Sequence, residues 1–443
     1  MNNKFCPAFL FSFFSFAFSF AQPTITLDEV VQMALEKNFD IKVMRAMSAT
    51  QFTDKRFIYG AFLPTVNLTA SHIENKNNSL TSYFPSANRA DVNIYNVGSY
   101  NESANLQLAW TVFDGTRMFA TRRRLMQLAE WGDINIKNQA MNSVAATITN
   151  FYNIVRQQEQ LKAINEVMAV NLERVKLAER KLEVGTGAKP ELLQAKVDLN
   201  AQRSLAVQQE ILIQQIKDQM NGQLGFGLPN NFEIADTIPI NLSLNLEDII
   251  SDIENSNQTV LAAKKNVEIA TTAIRENQAS RFPIVQLVGA LNYGHTSFQG
   301  LTNPFNPTQQ NTSYGYNYGV TVSVPILNNK NASRLVAQAS VTQSRMQAIY
   351  DQQKTIAIVG VKNAFTNYEN SKRILQIQEE NILVAKENVT IALEGFRRGI
   401  ITYIELRTAN QSLSDAYNQL IAARFSTKAS EIELMRLQGA LLK

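Results

Sequence analysis

The sequence predicts a mainly α-helical chain with a membrane β-barrel portion, laid out as two tandem repeats of helix, strand, strand and long helical hairpin. Three observations carry this expectation. Blocks of sequence recur at a nearly constant offset. Each copy holds two segments in which apolar and polar residues alternate. Each copy then runs through a long proline-free stretch with apolar residues seven apart.

The chain opens with a short basic start at Lys4 and a run of Phe, Ser, Ala and Leu over residues 5–20. Ser19-Phe20-Ala21 supplies the small residues that signal peptidase needs, so residues 1–21 are expected to be a cleaved export signal. A membrane anchor would need about 20 apolar residues, more than this Ser-broken run offers. The single cysteine, Cys6, falls inside the signal, so the mature chain is expected to have no disulfide and no thiolate ligand. No later segment has the uninterrupted apolar length of a transmembrane helix. An exported chain of this kind is either periplasmic or crosses the outer membrane as β-strands. Hydrophobic residues make up 45% of the 443, and the net charge is +4 with no Lys/Arg cluster standing apart from acids, which argues against a nucleic-acid partner.

The repeats are read directly. Leu27-Asp28-Glu29-Val30-Val31 returns as Leu246-Glu247-Asp248-Ile249-Ile250, and Pro64-Thr65-Val66 as Pro283-Ile284-Val285, both 219 positions on. Farther along the offset is 214: Phe151 matches Phe365, Gly185 matches Gly399, Glu191 matches Glu405 and Gly225 matches Gly439. The chain therefore divides into a first repeat over 22–230 and a second over 231–443.

Each repeat begins with a helical stretch, residues 27–59 in the first copy. A β-hairpin follows, 63–113 in the first copy and 283–326 in the second. Val66 and Leu68, then Leu108 and Trp110, alternate with polar neighbours; Val285, Leu287, Val320 and Val322 answer them. One face of such a strand pair is apolar and the other polar. In an outer-membrane barrel the apolar face meets lipid, so these eight residues are expected to face it, with Thr69 and Thr321 toward water. Aromatic residues scattered through the hairpin loops, Tyr83, Phe84, Phe298 and Phe305 among them, suit a membrane interface.

The coiled-coil hairpins occupy 116–225 and 331–439. Leu161, Met168, Val175 and Leu182 stand seven apart, as do Leu375, Ile382, Val389 and Phe396. Beyond each turn, Leu192, Leu199, Ala206, Ile213 and Met220 are matched by Leu406, Leu413, Leu420, Thr427 and Leu434. Sevens sustained over this length specify knobs-into-holes packing between helices. The turns read Val184-Gly185-Thr186-Gly187-Ala188-Lys189-Pro190-Glu191-Leu192 and Arg398-Gly399-Ile400-Ile401-Thr402-Tyr403-Ile404-Glu405-Leu406. Glycine permits the left-handed residue that ends a helix, and an acid in the next first turn complements the helix dipole.

These residues resemble the outer-membrane efflux protein family, the TolC-like ducts. The family's Val-Gly-Thr tip motif, followed by an acid, Leu, Leu and Ala, is matched by Val184-Gly185-Thr186 with Glu191-Leu192-Leu193 and Ala195. It is matched more loosely by Gly399 with Glu405-Leu406 and Ala409. The resemblance covers essentially the whole mature chain. It implies a homotrimer whose strands close a twelve-stranded barrel in outer-membrane lipid and whose helices form a periplasmic α-barrel. It also implies partners, a periplasmic adaptor bound to an inner-membrane pump. Gly185, Thr186, Leu192, Gly399 and Leu406 would form the adaptor-docking turns. Glu405 would belong to an inner acidic ring, and the family's tyrosine and arginine clamp would fall on Phe396 and Ile401, facing Glu191. Since neither position keeps the clamp residue, Arg397 and Arg398 are the alternative partners for Glu191.

Catalysis is not expected. The two histidines, His72 and His295, are unrelated by the repeat, and the chain has no zinc motif, no phosphate-binding glycine loop and no implied cofactor. A periplasmic coiled-coil adaptor or structural protein is the alternative, but an adaptor should carry one hairpin between compact β-domains, and a structural coiled coil needs no amphipathic strand pairs.

Overall fold

The structure, a computed structural model, describes residues 24–229, 232–234, 237–241, 244–299 and 310–442. The expected export signal, the 230/231 repeat boundary and Phe305 lie outside the described residues. The helices are α1 (Leu27–Lys37), α2 (Phe39–Arg56), α3 (Arg117–Glu183), α4 (Lys189–Gln223), α5 (Leu246–Ser251), α6 (Ile253–Ser256), α7 (Gln258–Gln278), α8 (Asn331–Arg397) and α9 (Tyr403–Gln438). The strands are β1 (Thr65–Thr81), β2 (Val92–Phe113), β3 (Ile284–Gln299) and β4 (Gln310–Ser323). Two compact units result. One contains Gln139–Ser251, Val359–Lys443 and the chain through Val43; the other contains Met44–Asn138 and Asp252–Ile358.

The opening helical stretch of each copy is not one helix. Buried Asn38 ends α1, and its Oδ1 accepts from the N–H groups of Asp40 and Ile41 at 2.9 and 3.2 Å, starting α2 afresh. Asn257, 219 positions on, caps α7 in the same way through Thr259 and Val260, both at 3.1 Å. An Asn side chain that reaches the next free amides is a strong helix start, and it divides an otherwise continuous periodic segment.

The four strands form one antiparallel sheet in the order β1-β2-β3-β4, so the two hairpins are joined by pairing of β2 with β3. The register puts Val66 opposite Leu108, Trp110 opposite Leu287, Leu287 opposite Val320 and Val285 opposite Val322. Residues directly opposite share a face. All eight apolar positions singled out from the sequence therefore lie on one side, together with Leu106, the partner of Leu68. The other face is polar and internally bonded: Ser71 to Ser103 at 2.8 Å, Asn105 to Asn292 at 2.6 Å, and Asn292 to Asn317 at 2.8 Å. β4 ends at Ser323, short of residue 326, because Pro325 has no amide to donate to a ladder.

Both strand-to-helix junctions turn through two consecutive left-handed residues, Gly115 and Thr116 (φ 71° and 72°) in the first copy, Asn329 and Lys330 (φ 55° and 58°) in the second. At Gly115 a Cβ would also sit 2.5 Å from the Ala279 carbonyl oxygen and 2.6 Å from the Phe282 Cβ.

α3 and α8 are 67 residues each, on the order of 100 Å at 1.5 Å per residue. In the unit that holds the hairpin turns, α3 touches α4 on one side and α9 on the other. Gln209 of α4 donates to Gln157 at 2.8 Å, and Asn410 of α9 donates to Asn171 at 2.9 Å. α8 packs chiefly against α9, through a core of Leu375, Ile382, Val389, Leu406, Leu413 and Leu420. The order is α4-α3-α9-α8, with α4 and α8 at the edges. A second core gathers Val30, Ala34, Val144, Phe151, Met220, Phe232 and Ile432.

Candidate functional site: the paired hairpin turns

Both hairpins reverse through the same device. α3 ends with Gly185 at φ +76°; its N–H reaches the Leu182 carbonyl at 3.1 Å and the Thr186 N–H reaches that of Lys181 at 2.8 Å. α8 ends with Gly399 at φ +74°, bonded to Phe396 at 3.2 Å, while Ile400 bonds to Gly395 at 2.9 Å. This pair of bonds closes a helix only around a left-handed residue. A Cβ on either glycine would meet nothing within 4 Å, so backbone conformation and not space demands glycine.

The helices that follow start differently. Thr402 and Glu405 make a capping box: the Thr402 N–H donates to Glu405 Oε2 at 2.6 Å, and the Glu405 N–H donates back to the hydroxyl at 3.3 Å. The backbone N–H of Thr402 first, and its hydroxyl second, hold the exposed Glu405 carboxyl below the ordinary range. In the first copy Ala188 stands where Thr402 stands in the second. It offers no side-chain cap, and Glu191 has one carboxylate oxygen buried without a partner.

Several sequence expectations change here. Phe396 is 2% exposed and lies in the core of the second hairpin; the Lys181 ammonium sits 3.7 Å from its ring centroid and donates to its carbonyl at 3.0 Å. It is therefore packed as a core residue and does not present its ring to Glu191. Arg397 pairs with Glu394 at 2.5 Å instead of Glu191, because the two share a helix face three residues apart. Arg398 is exposed and joins no ion pair among the described residues. Leu406 is fully buried and the partly buried Leu192 packs on Val175, Ala195 and Leu199, so both hold the turns from inside. The exposed apolar residues of the turns are Val184, Ile400 and Ile404.

The strongest polar constellation was not singled out from the sequence. Arg174 of α3, its side chain 1% exposed, donates to Asp198 of α4 and, at 2.9 Å, to the Tyr403 hydroxyl of α9. That hydroxyl donates to Asp198 at 2.9 Å, Gln194 donates to Asp198 at 3.0 Å, and Arg407 lies 3.4 Å away. The guanidinium also lies over the Tyr403 ring, 4.7 Å from its centroid. Three helices are tied at one carboxylate. Burial works to raise the Asp198 pKa, but bonds from Arg174, Gln194 and Tyr403 outweigh it and hold the carboxyl below its ordinary range. Burial, reinforced by the bond to Asp198 and opposed by Arg174, pushes the Tyr403 phenol up to about 12. The sequence does mark a neighbouring polar pair: Asn171 interrupts the apolar steps Ile164 and Ala178, and its partner across the helices is Asn410 at 2.9 Å.

Among the described residues no group of three or more His, Cys, Asp or Glu side chains gathers as a metal site, and no helix is long and apolar enough to cross a membrane. A sheet apolar on one face and polar on the other, carrying two long helical hairpins with matching tied turns, defines a channel protein of the outer membrane. The chain belongs to the outer membrane efflux protein family, whose model matches residues 30–225 and again 249–440. It is similar to outer membrane protein TolC of Vibrio cholerae serotype O1, 20% identical over 428 residues, covering 94% of this chain and 91% of that one. It is also similar to the alkaline protease secretion protein AprF of Pseudomonas aeruginosa, 20% identical over 346 residues, 76% of this chain and 69% of that one. Among solved structures the outer-membrane channel OprN superposes with a TM-score of 0.74 at 18% identity, over 94% of this chain and 90% of that one. The family's place is the outer membrane, and its part in export is that of a channel and not of an enzyme.

Proposed function

We propose that this chain is the passive exit duct of a tripartite efflux or type I secretion machine. Three copies close the barrel and the periplasmic conduit, and the hairpin turns dock on an adaptor bound to an inner-membrane pump. The observation that carries the reading is the pair of unpartnered edges. β1 and β4 each leave one side of the sheet open, and an open edge is untenable in lipid. The edge helices match this. Ile377, Val384 and Ile391 of α8 stand seven apart and exposed, and α4 exposes Leu193, Val197, Val207 and Ile211. Packing α8 of one copy on α4 of the next covers both ladders and closes a ring. In that ring the apolar sheet face meets lipid and the Asn-rich face lines water. The Arg174–Asp198–Tyr403 tether holds each copy's two hairpins together at the periplasmic end, and its release opens the entrance.

Val197 and Ile391 lie about two helical turns from their respective hairpin turns, hence at one level. The mature chain is expected to be free of cysteine, so Val197→Cys with Ile391→Cys should cross-link into trimers on oxidation, and neither single variant should. Absence of cross-linked trimers in the double variant would remove the ring. For docking, bulky replacements at Gly185 and Gly399 should abolish export while trimers still assemble; undiminished export would exclude these turns as the docking site.

A further inference from the structure

We infer that the first repeat builds a seat for the phosphate headgroup of an acidic phospholipid, at the periplasmic border of the membrane. The inference rests on reading the apolar sheet face as lipid-facing. On that face the Trp110 indole N–H donates to the Phe62 carbonyl at 2.9 Å, which fixes the segment between α2 and β1 on the lipid side of the sheet. The Phe62 ring meets Phe119 of α3 edge-on at 5.3 Å. Arg122 and Arg123 follow Phe119 at the three- and four-residue spacings that share a helix face. Arg122 lies over the Tyr59 ring at 5.4 Å and Arg56 over the Phe57 ring at 5.7 Å; Phe57, Tyr59 and Leu63 are exposed.

This is a basic cluster interleaved with aromatic rings beside an apolar band, the composition suited to a headgroup layer. None of Arg56, Arg122 and Arg123 joins an ion pair among the described residues, and the Arg122 Nε is buried without a partner. The nearby acid Asp114 is engaged by the Met118 N–H at 3.0 Å. The sequence average hides the cluster because its members come from two distant segments. The second repeat keeps only the first of these arginines, as Arg275: Glu276 and Gln278 occupy the positions of Phe57 and Tyr59, and Val336 and Ala337 those of Arg122 and Arg123. Glu276 instead neutralises Arg124, at 2.6 Å. One seat per copy results.

The test is native mass spectrometry of the full-length assembled protein from micelles with equal phosphatidylglycerol and phosphatidylcholine. The wild type should retain phosphatidylglycerol preferentially. Arg56→Gln with Arg122→Gln and Arg123→Gln should lower that retention on the order of a hundredfold without touching phosphatidylcholine. The corresponding Arg→Lys triple variant should keep most of it, which separates charge from folding. Excess inorganic phosphate should not displace the lipid; displacement would mean a small-anion site and overturn the proposal. Equal retention of both lipids, or unchanged retention in the Gln variant, overturns the seat alone. Retention of neither lipid by the wild type overturns the lipid-facing reading of the sheet as well.

Discussion

Asp198→Asn is the sharpest perturbation of the proposed gate. The carboxylate accepts from Arg174, Tyr403 and Gln194, and the Arg174 side chain is 1% exposed. Removing one member of a buried ion pair costs about 3–5 kcal/mol, because the remaining charge has no water to return to. If about 3 kcal/mol of this belongs to the closed tip, the closed-to-open ratio falls on the order of a hundredfold, since about 1.4 kcal/mol is tenfold. Tyr403→Phe leaves the ion pair and removes a bond to a charged acceptor, about 1.5–3 kcal/mol, so its effect is smaller. Single-channel recording in planar bilayers should give raised conductance in the order Asp198→Asn, Tyr403→Phe, wild type. The signs of the pKa shifts set the pH window. Asp198 is depressed, so its contribution is full above the ordinary aspartate range and is lost as pH falls through its lowered value. Tyr403 is raised, so its contribution is full below the ordinary tyrosine value and is lost as pH climbs toward about 12. The tether is thus insensitive to pH around neutrality and releases in strong acid or strong base. Wild-type conductance in Asp198→Asn, together with lowered thermal stability, would make the cluster a structural clasp and refute the gate.

Three further outcomes are expected. Ala188→Thr should give the first hairpin the capping box of the second and stabilise it by about 1 kcal/mol, while Thr402→Ala should cost about the same; thermal unfolding reads both, and an unchanged melting point for Ala188→Thr would show that Glu191 cannot reach the new cap. Leu108→Arg should cost about 2–4 kcal/mol at mid-membrane and hinder assembly, whereas Thr69→Arg should assemble normally; equal tolerance would mean that the sheet is not in lipid. Glu405→Gln should weaken cation selectivity with a stability loss below about 1 kcal/mol, because the amide oxygen still caps Thr402; unaltered selectivity in bilayers would leave Glu405 as a helix-start residue only.

What was legible in the sequence is what short-range periodicity encodes. The strand faces follow from alternation, so all eight apolar positions fall on one side. The long helices follow from the sevens, so Leu375, Ile382, Val389 and Phe396 are all buried. That same ladder argued against placing Phe396 at a gate, since its heptad position makes it core before the family's pattern makes it anything else. The split at Asn38 was written twice, at 38 and 257, but periodicity ran through it and masked the cap. Pairing of β2 with β3 and the convergence of Arg174, Asp198 and Tyr403 were not legible. Each joins residues far apart in the chain, and nothing local distinguishes Asp198 from the other acids of a wet helix.

The strand-to-helix joints bear on how the two halves have diverged. In the second half the left-handed pair is Asn329 and Lys330, and Asn visits that conformation at modest cost. In the first half the joint is pressed against Ala279 and Phe282, which belong to the second half, so a side chain at 115 must displace a backbone carbonyl. The halves are therefore no longer interchangeable here. Asn329→Gly asks nothing new of the fold, whereas Gly115→Asn sets one half against the other. Position 115 is closed to a side chain, whereas its counterpart at 329 carries one in the same left-handed conformation.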